Sequence, residues 1–227
     1  MIFKRFESRT ALEEVLADRI LSILNEIVQV KKQALVLFSG GSTPVGLLKR
    51  LAAKRFDWSL VIVSLVDDRM VEEDSSFSNY KMIKELFFDK IAPEFQPKLL
   101  PLVVDSADFE RNMELVSKNF ENIASPDLVI LGMGNDGHFA SLFPDDTASE
   151  KALNEENKEK LVYTNAPVFP EDRISFSWSF LKKSKYLFMH ITGEEKLEII
   201  QKEEIYKKLP AKVLITERTD QEVFWAL

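Results

Sequence analysis

Short apolar runs alternate with longer segments in which apolar residues recur every three or four positions. A run of roughly four to eight apolar residues predicts a buried strand, and the longer spacing predicts a helix with one apolar face. The predicted strands are 34–38, 60–66, 98–103, 128–131, 161–165, 174–178, 186–192 and 213–216. The predicted helices are 10–30, 45–54, 80–91, 105–123 and 194–207. This alternation predicts an α/β fold with a mainly parallel sheet and helices on both faces.

The remaining segments complete this prediction. Thr10 and Glu13 have the spacing of a capping box, and Pro44 suits the first turn of a helix. The polar stretch 145–160 predicts a surface helix or loop, and 223–227 a short closing element. The late strands are closely spaced, which indicates some antiparallel pairing. Because the chain has no repeat or linker-like stretch, we expect residues 1–227 to form one domain.

Three polar clusters follow predicted strands directly. They are SGGST after the first strand, DDR after the second, and GMGNDGH after the strand at 128–131. Each cluster has a plain interpretation as a tight or solvated turn. However, open α/β sheets bind ligands beyond the carboxyl ends of their strands, so we predict one composite site. Paired glycines, hydroxyls and a helix start make SGGST a candidate phosphate cradle, since backbone N–H groups and the helix dipole would face the anion.

His138 is the candidate general base, because it follows a glycine turn at the end of a strand and an imidazole is suited to proton transfer near neutral pH. Asp136 lies two positions earlier and could orient the ring or stabilise its charged form. The alternative is a histidine that helps to cap a short helix. His190 ends an apolar run and is predicted to be structural. Two histidines so far apart, in a chain without cysteine, do not predict a metal site.

The glycine loop formally matches the dinucleotide fingerprint G-x-G-x-x-G. That fingerprint needs a long helix straight after the glycines, whereas here Pro144 and a charged segment follow. The loop also lacks the Gly-Lys-Ser/Thr ending of a nucleotide-triphosphate loop. We therefore predict neither a nicotinamide or flavin cofactor nor a nucleotide-triphosphate site.

The amino-acid composition argues against some classes of binding partner and is compatible with others. The net charge is −7 and no basic run is present, so nucleic acid is not the expected partner. The first residues form no signal-peptide core, and no stretch has the ~18 apolar residues of a membrane span. We therefore expect a soluble protein of the cytoplasm that does not bind membranes. In this acidic chain, an anionic ligand would need cations close to its binding site. Arg173 and Lys196 are the candidates, although each taken alone is more typical of a surface charge.

Together these motifs closely resemble the 6-phosphogluconolactonases, which are related in fold to glucosamine-6-phosphate deaminases. The resemblance extends from the first helix to Lys196 and keeps the order of the family's landmarks. Those landmarks are FSGGSTP at 38–44, the DDR cluster after Trp58, Ser78-Asn79, LGMGNDGHFASLFP at 131–144, Arg173-Ile174-Ser175, and Gly193 with Lys196. The resemblance implies a Rossmann-like fold and hydrolysis of 6-phospho-D-glucono-1,5-lactone without a metal or cofactor. It also implies a small-molecule sugar-phosphate substrate. The sequence does not give the oligomeric state, for which our expectation is a monomer or weak homo-oligomer.

The resemblance also implies roles for individual residues. His138 matches the family's proposed general base, and Asp67 the position that is catalytic in the deaminases. Arg69 is typical of the lactonases and would bind substrate or stabilise negative charge, while Asp136 supports His138. The implied phosphate ligands are Ser39, Gly40, Gly41, Ser42, Thr43, Arg173 and Lys196.

Phe143 separates the two related activities. Aligned on Asp-Gly-His, it stands where the deaminases have a glutamate that takes part in ring opening and proton transfer, so the lactonase activity is favoured. A deaminase or sugar-phosphate isomerase and a non-enzymatic sugar-phosphate sensor are the alternatives. Three features depart from the family pattern: Asn135 replaces a common proline, Asp68 a common glutamate, and the segment before Arg173 lacks a common lysine.

Overall fold

Ten strands and nine α-helices make up the computed structural model, which describes residues 1–227. The strands are β1 (Ile2–Phe6), β2 (Ala34–Phe38), β3 (Val61–Leu65), β4 (Asp67–Arg69), β5 (Lys98–Leu99), β6 (Leu128–Leu131), β7 (Leu161–Asn165), β8 (Asp172–Phe176), β9 (Tyr186–Thr192) and β10 (Glu222–Ala226). The helices are α1 (Arg9–Lys31), α2 (Val45–Ala53), α3 (Asn79–Leu86), α4 (Phe109–Phe120), α5 (Thr147–Leu153), α6 (Trp178–Leu181), α7 (Glu194–Gln201), α8 (Glu203–Tyr206) and α9 (Ala211–Glu217). Short 3₁₀ turns occupy Trp58–Leu60, Phe88–Lys90 and Pro93–Phe95.

The large sheet has seven strands in the order β1-β10-β9-β6-β2-β3-β5. Every neighbouring pair in it is parallel. Its central strands are buried along their whole length, as β2 and β6 show, which explains their continuous apolar sequences. The predicted α/β class, with helices around a mainly parallel sheet, is confirmed.

A second, antiparallel sheet has three strands in the order β4-β8-β7. The DDR cluster therefore forms a short strand, and the interpretation of it as a solvated turn is wrong, since Asp67 and Asp68 are buried. The predicted antiparallel pairing is confirmed for β7 and β8, whereas β9 joins the large sheet in parallel register. One continuous cluster of buried apolar side chains runs through both sheets.

The helix α1 begins earlier than its predicted capping box. Ser8 is the N-cap, and its hydroxyl accepts the amide N–H of Ala11. Glu13 instead pairs with Arg50 on α2, at 3.2 Å, so the Thr10–Glu13 capping box is wrong. This ion pair joins α1 to α2 beside the first polar cluster.

The predicted strand 213–216 is also wrong, because these residues lie in α9. Only Ala211 and Leu214 of this helix are buried, and their spacing of three positions is helical rather than extended. Conversely, β1 was not predicted, since its alternating and mostly exposed residues carry no buried apolar run. The predicted helix 194–207 is divided into α7 and α8 at Lys202, and Trp178 belongs to α6 rather than to a strand. No helix combines the length and the apolarity that are needed to cross a membrane.

Candidate active site

The three polar clusters meet at one pocket of about 220 Å³ at the carboxyl edge of the large sheet. The lining residues are Ser39, Gly40, Gly41, Ser42, Thr43, Asp67, Arg69, Asn79, Gly132, Met133, Gly134, His138, Phe139, Ala140 and Lys196. Most of the candidate residues are thus brought together, whereas Asp136 and Arg173 lie outside the lining. A larger and more apolar groove of about 1240 Å³ lies between α4 and β7, but none of the three loops contributes to it.

Ser39 joins the first glycine loop to the third. Its side-chain oxygen accepts the N–H of Gly132 at 2.8 Å, and its own N–H donates to the carbonyl of Ile130 at 3.0 Å. The loop then runs into α2 through Pro44, so the amide groups of 40–43 stand at the positive end of a helix dipole. This geometry suits a bound anion such as a phosphate.

Asp136 holds the imidazole of His138 in a defined orientation. Its carboxylate lies 2.5 Å from Nδ1 of the ring and also accepts the backbone N–H of His138 at 3.2 Å. A carboxylate at Nδ1 favours the proton on that nitrogen, which leaves the Nε2 lone pair available as a base. Burial raises the pKa of Asp136, but the hydrogen bond and charge of His138 outweigh burial, so the pKa lies below its ordinary value. The carboxylate therefore stays ionised near neutral pH and can stabilise an imidazolium.

The turn that carries His138 closes on Gly134. The N–H of Gly134 donates to the carbonyl of His138 at 2.8 Å, and the N–H of Gly137 donates back to Gly134 at 3.1 Å. A Cβ at position 134 would lie 2.3 Å from the imidazole ring, so only glycine lets the ring fold back over the turn. The ring of Phe143 packs on the other side, with 4.7 Å between the ring centres.

The small sheet anchors the end of this loop through Ser141. The Ser141 hydroxyl donates to Asp67 on β4 at 2.5 Å, and its carbonyl accepts the hydroxyl of Thr164 on β7 at 2.6 Å. Its N–H donates to the hydroxyl of Ser175 on β8 at 3.3 Å. Each strand of the small sheet thus contributes one hydrogen bond to the loop that carries His138. Ser141 and Ser175 lie within two of the landmarks, but no role was predicted for them or for Thr164. For Thr164 and Ser175, the available signal was a small polar residue inside a predicted strand.

The two neighbouring aspartates have different environments. Asp67 lines the pocket, whereas Asp68 points to the opposite face of β4 and accepts the N–H groups of Arg69, Asn79 and Tyr80 at 2.8, 2.8 and 3.0 Å. Burial raises the pKa of Asp68 to about 7, although the three N–H groups act in the opposite direction. Asp68 therefore orders the start of α3, and Asp67 is the acid that faces the pocket.

Asn79 fixes Arg69 at the pocket wall. The Arg69 guanidinium donates to the Asn79 side-chain oxygen and to the carbonyl of Phe77, the latter at 3.0 Å. The Asn79 amide donates to the carbonyl of Asp67 at 3.1 Å, and the residue is only 3% exposed. A Cβ on Gly40 would lie 2.0 Å from the Asn79 oxygen, so Gly40 and Asn79 occupy one shared space. The Ser78-Asn79 landmark thus has a positioning role that the sequence alone did not indicate.

The two candidate phosphate cations are placed differently. Lys196 lies on the first turn of α7 and lines the pocket with Ser39–Thr43. Burial lowers the pKa of Lys196, the charge of Arg9 lowers it further, and Glu195 raises it. Arg173 is 5% exposed and lies on β8, opposite Arg69 on β4. The structure therefore groups Arg173 with Arg69 rather than with Lys196.

The carboxyl-terminal segment covers the outer side of the His138 loop as well as the sheet. The N–H of Ala211 donates to the carbonyl of Gly137 at 3.0 Å, and Asn135 donates to the carboxylate of Glu195 on α7. Beyond them, β10 pairs between β9 and β1. The sequence analysis left this placement open, and the contacts show that α7 and α9 support the loop from outside.

His190 lies inside the protein, 2% exposed, with no hydrogen-bond partner for either ring nitrogen. Burial lowers the pKa of His190 to about 4, and the charges of Lys196 and Arg9 act in the same direction. Above the unfolded-state pKa of about 6.5, the ring is neutral in both states, so no stability is lost. As the pH falls from 6.5 towards 4, only the unfolded chain takes up the proton and the protein loses stability.

Between pH 7 and pH 4, His190 should lower the free energy of unfolding of the wild-type protein by about 3 kcal/mol, the equivalent of the shift in its pKa. The His190→Leu variant has no imidazole at this position, so we expect this part of the pH dependence to be absent. Urea unfolding of both proteins at pH 7 and pH 4 measures it. An identical pH dependence in the two proteins would show that His190 titrates normally in the folded state.

Comparison with known proteins identifies relatives along nearly the whole chain. The family described as glucosamine-6-phosphate isomerases/6-phosphogluconolactonase matches residues 7–225. The 6-phosphogluconolactonase of Rhizobium meliloti (strain 1021) is 31% identical over 226 residues, which cover 97% of each chain. That of Helicobacter pylori (strain J99) is 34% identical over 225 residues, which cover 97% of this chain and 96% of the relative. The crystal structure of a 6-phosphogluconolactonase from Shewanella baltica OS155 has 33% sequence identity and a TM-score of 0.91, and the match covers 100% of this chain and 98% of that one.

Proposed function

The chain belongs to the family of glucosamine-6-phosphate isomerases and 6-phosphogluconolactonases, and we propose that it hydrolyses 6-phospho-D-glucono-1,5-lactone to 6-phospho-D-gluconate. The observation that carries this choice is the surroundings of His138. Asp136 engages Nδ1 of the imidazole, and the ring of Phe143 packs against the imidazole where the deaminases would have a glutamate. An apolar ring there leaves a base suited to activating water but removes the glutamate that the deaminases use in ring opening and proton transfer.

The proposed mechanism needs one base and a set of hydrogen-bond donors. Nε2 of His138 removes a proton from water as its oxygen attacks C1 of the lactone. Negative charge then develops on the carbonyl oxygen, and backbone N–H groups of the glycine loops together with Arg69 stabilise it. The bond between C1 and the ring oxygen breaks, and the imidazolium returns its proton to that oxygen. Every proton moves between water, His138 and substrate, and the proposed steps use no metal or cofactor.

The phosphate of the substrate binds at the opposite side of the pocket, to the loop 39–43 and Lys196. The support is the positive end of α2, the amide groups of the loop, and a half-buried lysine with no carboxylate in hydrogen-bond contact. Holding the phosphate far from C1 places the carbonyl beside His138, which is a proximity effect. We further propose that the enzyme works in the cytoplasm as a monomer or weak homo-oligomer; both remain predictions.

We expect Lys196→Ala to raise KM by about 10- to 100-fold with a smaller change in kcat, because a charged hydrogen bond to phosphate contributes roughly 1.5–3 kcal/mol. The matched control is Lys212→Ala, on the exposed side of α9. It removes the same charge away from the pocket and should leave both constants unchanged. An equal rise in KM in both variants would point to general electrostatic steering instead of a phosphate site.

The test of the function itself is hydrolysis of freshly prepared 6-phosphogluconolactone, followed by proton release and corrected for spontaneous ring opening. We expect rapid hydrolysis, and no ammonia from glucosamine 6-phosphate under the same conditions. Ammonia release without lactone hydrolysis would establish the deaminase alternative. If neither reaction occurs but sugar phosphates bind, the domain is a sensor.

A further inference from the structure

Two arginines lie side by side on adjacent strands of the small sheet. Arg69 on β4 is the register partner of Arg173 on β8 in an antiparallel pair. Side chains at such positions lie on the same face, about 5 Å apart at Cβ, and like charges placed there repel each other. Burial and the charge of Arg69 lower the pKa of Arg173, whereas the charges of Asp67, Asp68 and Asp172 raise it and offset part of this effect. A stable fold tolerates this arrangement best when something negative binds between the two side chains.

No carboxylate of the protein makes that contact. The Arg69 guanidinium donates to the carbonyl of Phe77 and to the amide oxygen of Asn79. The Arg173 guanidinium has a single long bond of 3.4 Å, to the carbonyl of Asp172, although the residue is only 5% exposed. Asp67 shares the face, but its carboxylate accepts the hydroxyl of Ser141. The other guanidinium nitrogens of Arg173 have no partner within the protein and are not fully enclosed, so they remain free to bind a ligand.

The pair is separate from the phosphate end of the pocket. Lys196 lies on the first turn of α7, directly after β9 of the large sheet, whereas Arg69 and Arg173 lie on β4 and β8 of the small sheet. Arg69 forms the wall that connects the pocket to Arg173, since Arg69 lines the pocket and Arg173 does not. The site thus has two positive centres, one at the loop 39–43 with Lys196 and one at the arginine pair.

We propose that Arg69 and Arg173 form a second anion site, which binds the C1 carboxylate of the ring-opened phosphoaldonate product. This assignment rests on the proposed lactone hydrolysis, and it separates Arg173 from the phosphate. The lactone is uncharged at C1; adding water and breaking the bond to the ring oxygen gives a carboxylic acid, which releases its proton to solvent as the carboxylate. Two guanidinium groups side by side match the two oxygens of a carboxylate. The product therefore carries one negative group for each positive centre, and the lactone carries only one.

The proposal predicts that the protein distinguishes a phosphoaldonate from the alditol phosphate of the same length. The ligands are 6-phospho-D-gluconate and D-glucitol 6-phosphate, which differ at C1 by a carboxylate in place of a hydroxymethyl group. Isothermal titration calorimetry should show that the aldonate binds at least about tenfold more tightly, as expected for one charge-assisted contact. Arg173→Gln should reduce that ratio to near one while the alditol affinity stays the same. Lys196→Ala should weaken both ligands by a similar factor and keep the ratio.

Arg69→Gln is the second variant, because Arg69 is less buried than Arg173 and its replacement disturbs the fold less. It should also lower the ratio. Two results would overturn the second anion site. One is equal affinity of the wild-type protein for the aldonate and the alditol. The other is a ratio of the two affinities that falls in Lys196→Ala but stays unchanged in both arginine variants. Lactone hydrolysis by the wild-type protein is measured in parallel, so absent hydrolysis with retained discrimination refutes the proposed reaction alone.

Discussion

The His138→Ala variant is expected to keep its fold and to lose lactone hydrolysis by a factor of about 10² to 10⁴, the usual contribution of a positioned general base. His138 provides the only imidazole in the pocket, and its Nδ1 is engaged by Asp136, so Nε2 is the nitrogen left for the substrate water. Its side chain is partly exposed at the end of a turn, so its removal leaves no large buried cavity. The measurement is kcat/KM from proton release, corrected for spontaneous opening of the lactone.

Asp136→Asn provides the companion variant for this prediction. An amide can still hold the ring but cannot stabilise the imidazolium by charge, so we expect a smaller loss of kcat than for His138→Ala. The affinity of both variants for D-glucitol 6-phosphate should stay within about threefold of wild type, because ligand binding at the loop 39–43 does not use the imidazole. A fully active His138→Ala protein would refute the general-base assignment.

The buried central strands could be predicted because parallel strands covered on both faces need continuous apolar sequences. The strand β2 is an example, with all five residues of ALVLF buried. The edge strand β1 could not be found in this way, since its alternating residues are mostly exposed and it is held by backbone pairing with β10. The run 213–216 failed for the opposite reason, because an apolar and β-branched run suits a strand but tertiary packing made it a helix.

The meeting of the three loops could be predicted from a topological rule, because parallel strands bring their carboxyl ends to one edge. The residues that hold the loops in place could not. Ser141 reaches Asp67 across 74 positions of sequence, and Gly132 reaches Ser39 across 93. The first contact depends on how the small sheet lies against the large one, and the second on the pairing of β6 with β2, and no local pattern encodes either. Arg173 lies beside Arg69 because β4 and β8 pair in a particular antiparallel register, and that register could not be predicted from the sequence either.

Gly40→Ala is expected to lower both stability and activity, because the added methyl group has no space. Its Cβ would lie 2.0 Å from the side-chain oxygen of Asn79, which is 3% exposed and cannot swing into solvent. Relief requires Asn79 to move, and the hydrogen bonds from Arg69 and to the carbonyl of Asp67 are then lost. Overpacking of this kind lowers the free energy of unfolding by about 1–3 kcal/mol. We expect kcat/KM to fall by about 10²-fold, the scale for losing one preorganised donor at a developing charge.

Gly132→Ala is the matched control, since it adds the same methyl group to a neighbouring glycine loop where the nearest atom, Cβ of Ser39, is 3.8 Å away. It should change the free energy of unfolding by less than about 1 kcal/mol, within the range of a tolerated packing change. The decisive experiment is a double-mutant cycle measured by urea unfolding and by kcat/KM. In an Asn79→Ala background the clash is absent, so Gly40→Ala should lower the unfolding free energy far less than it does in wild type. Activity should stay low in that double variant, because Arg69 still lacks its partner. If Gly40→Ala instead proves as stable as Gly132→Ala and as active as the wild-type protein, then Asn79 does not hold Arg69 in the way that the contacts indicate.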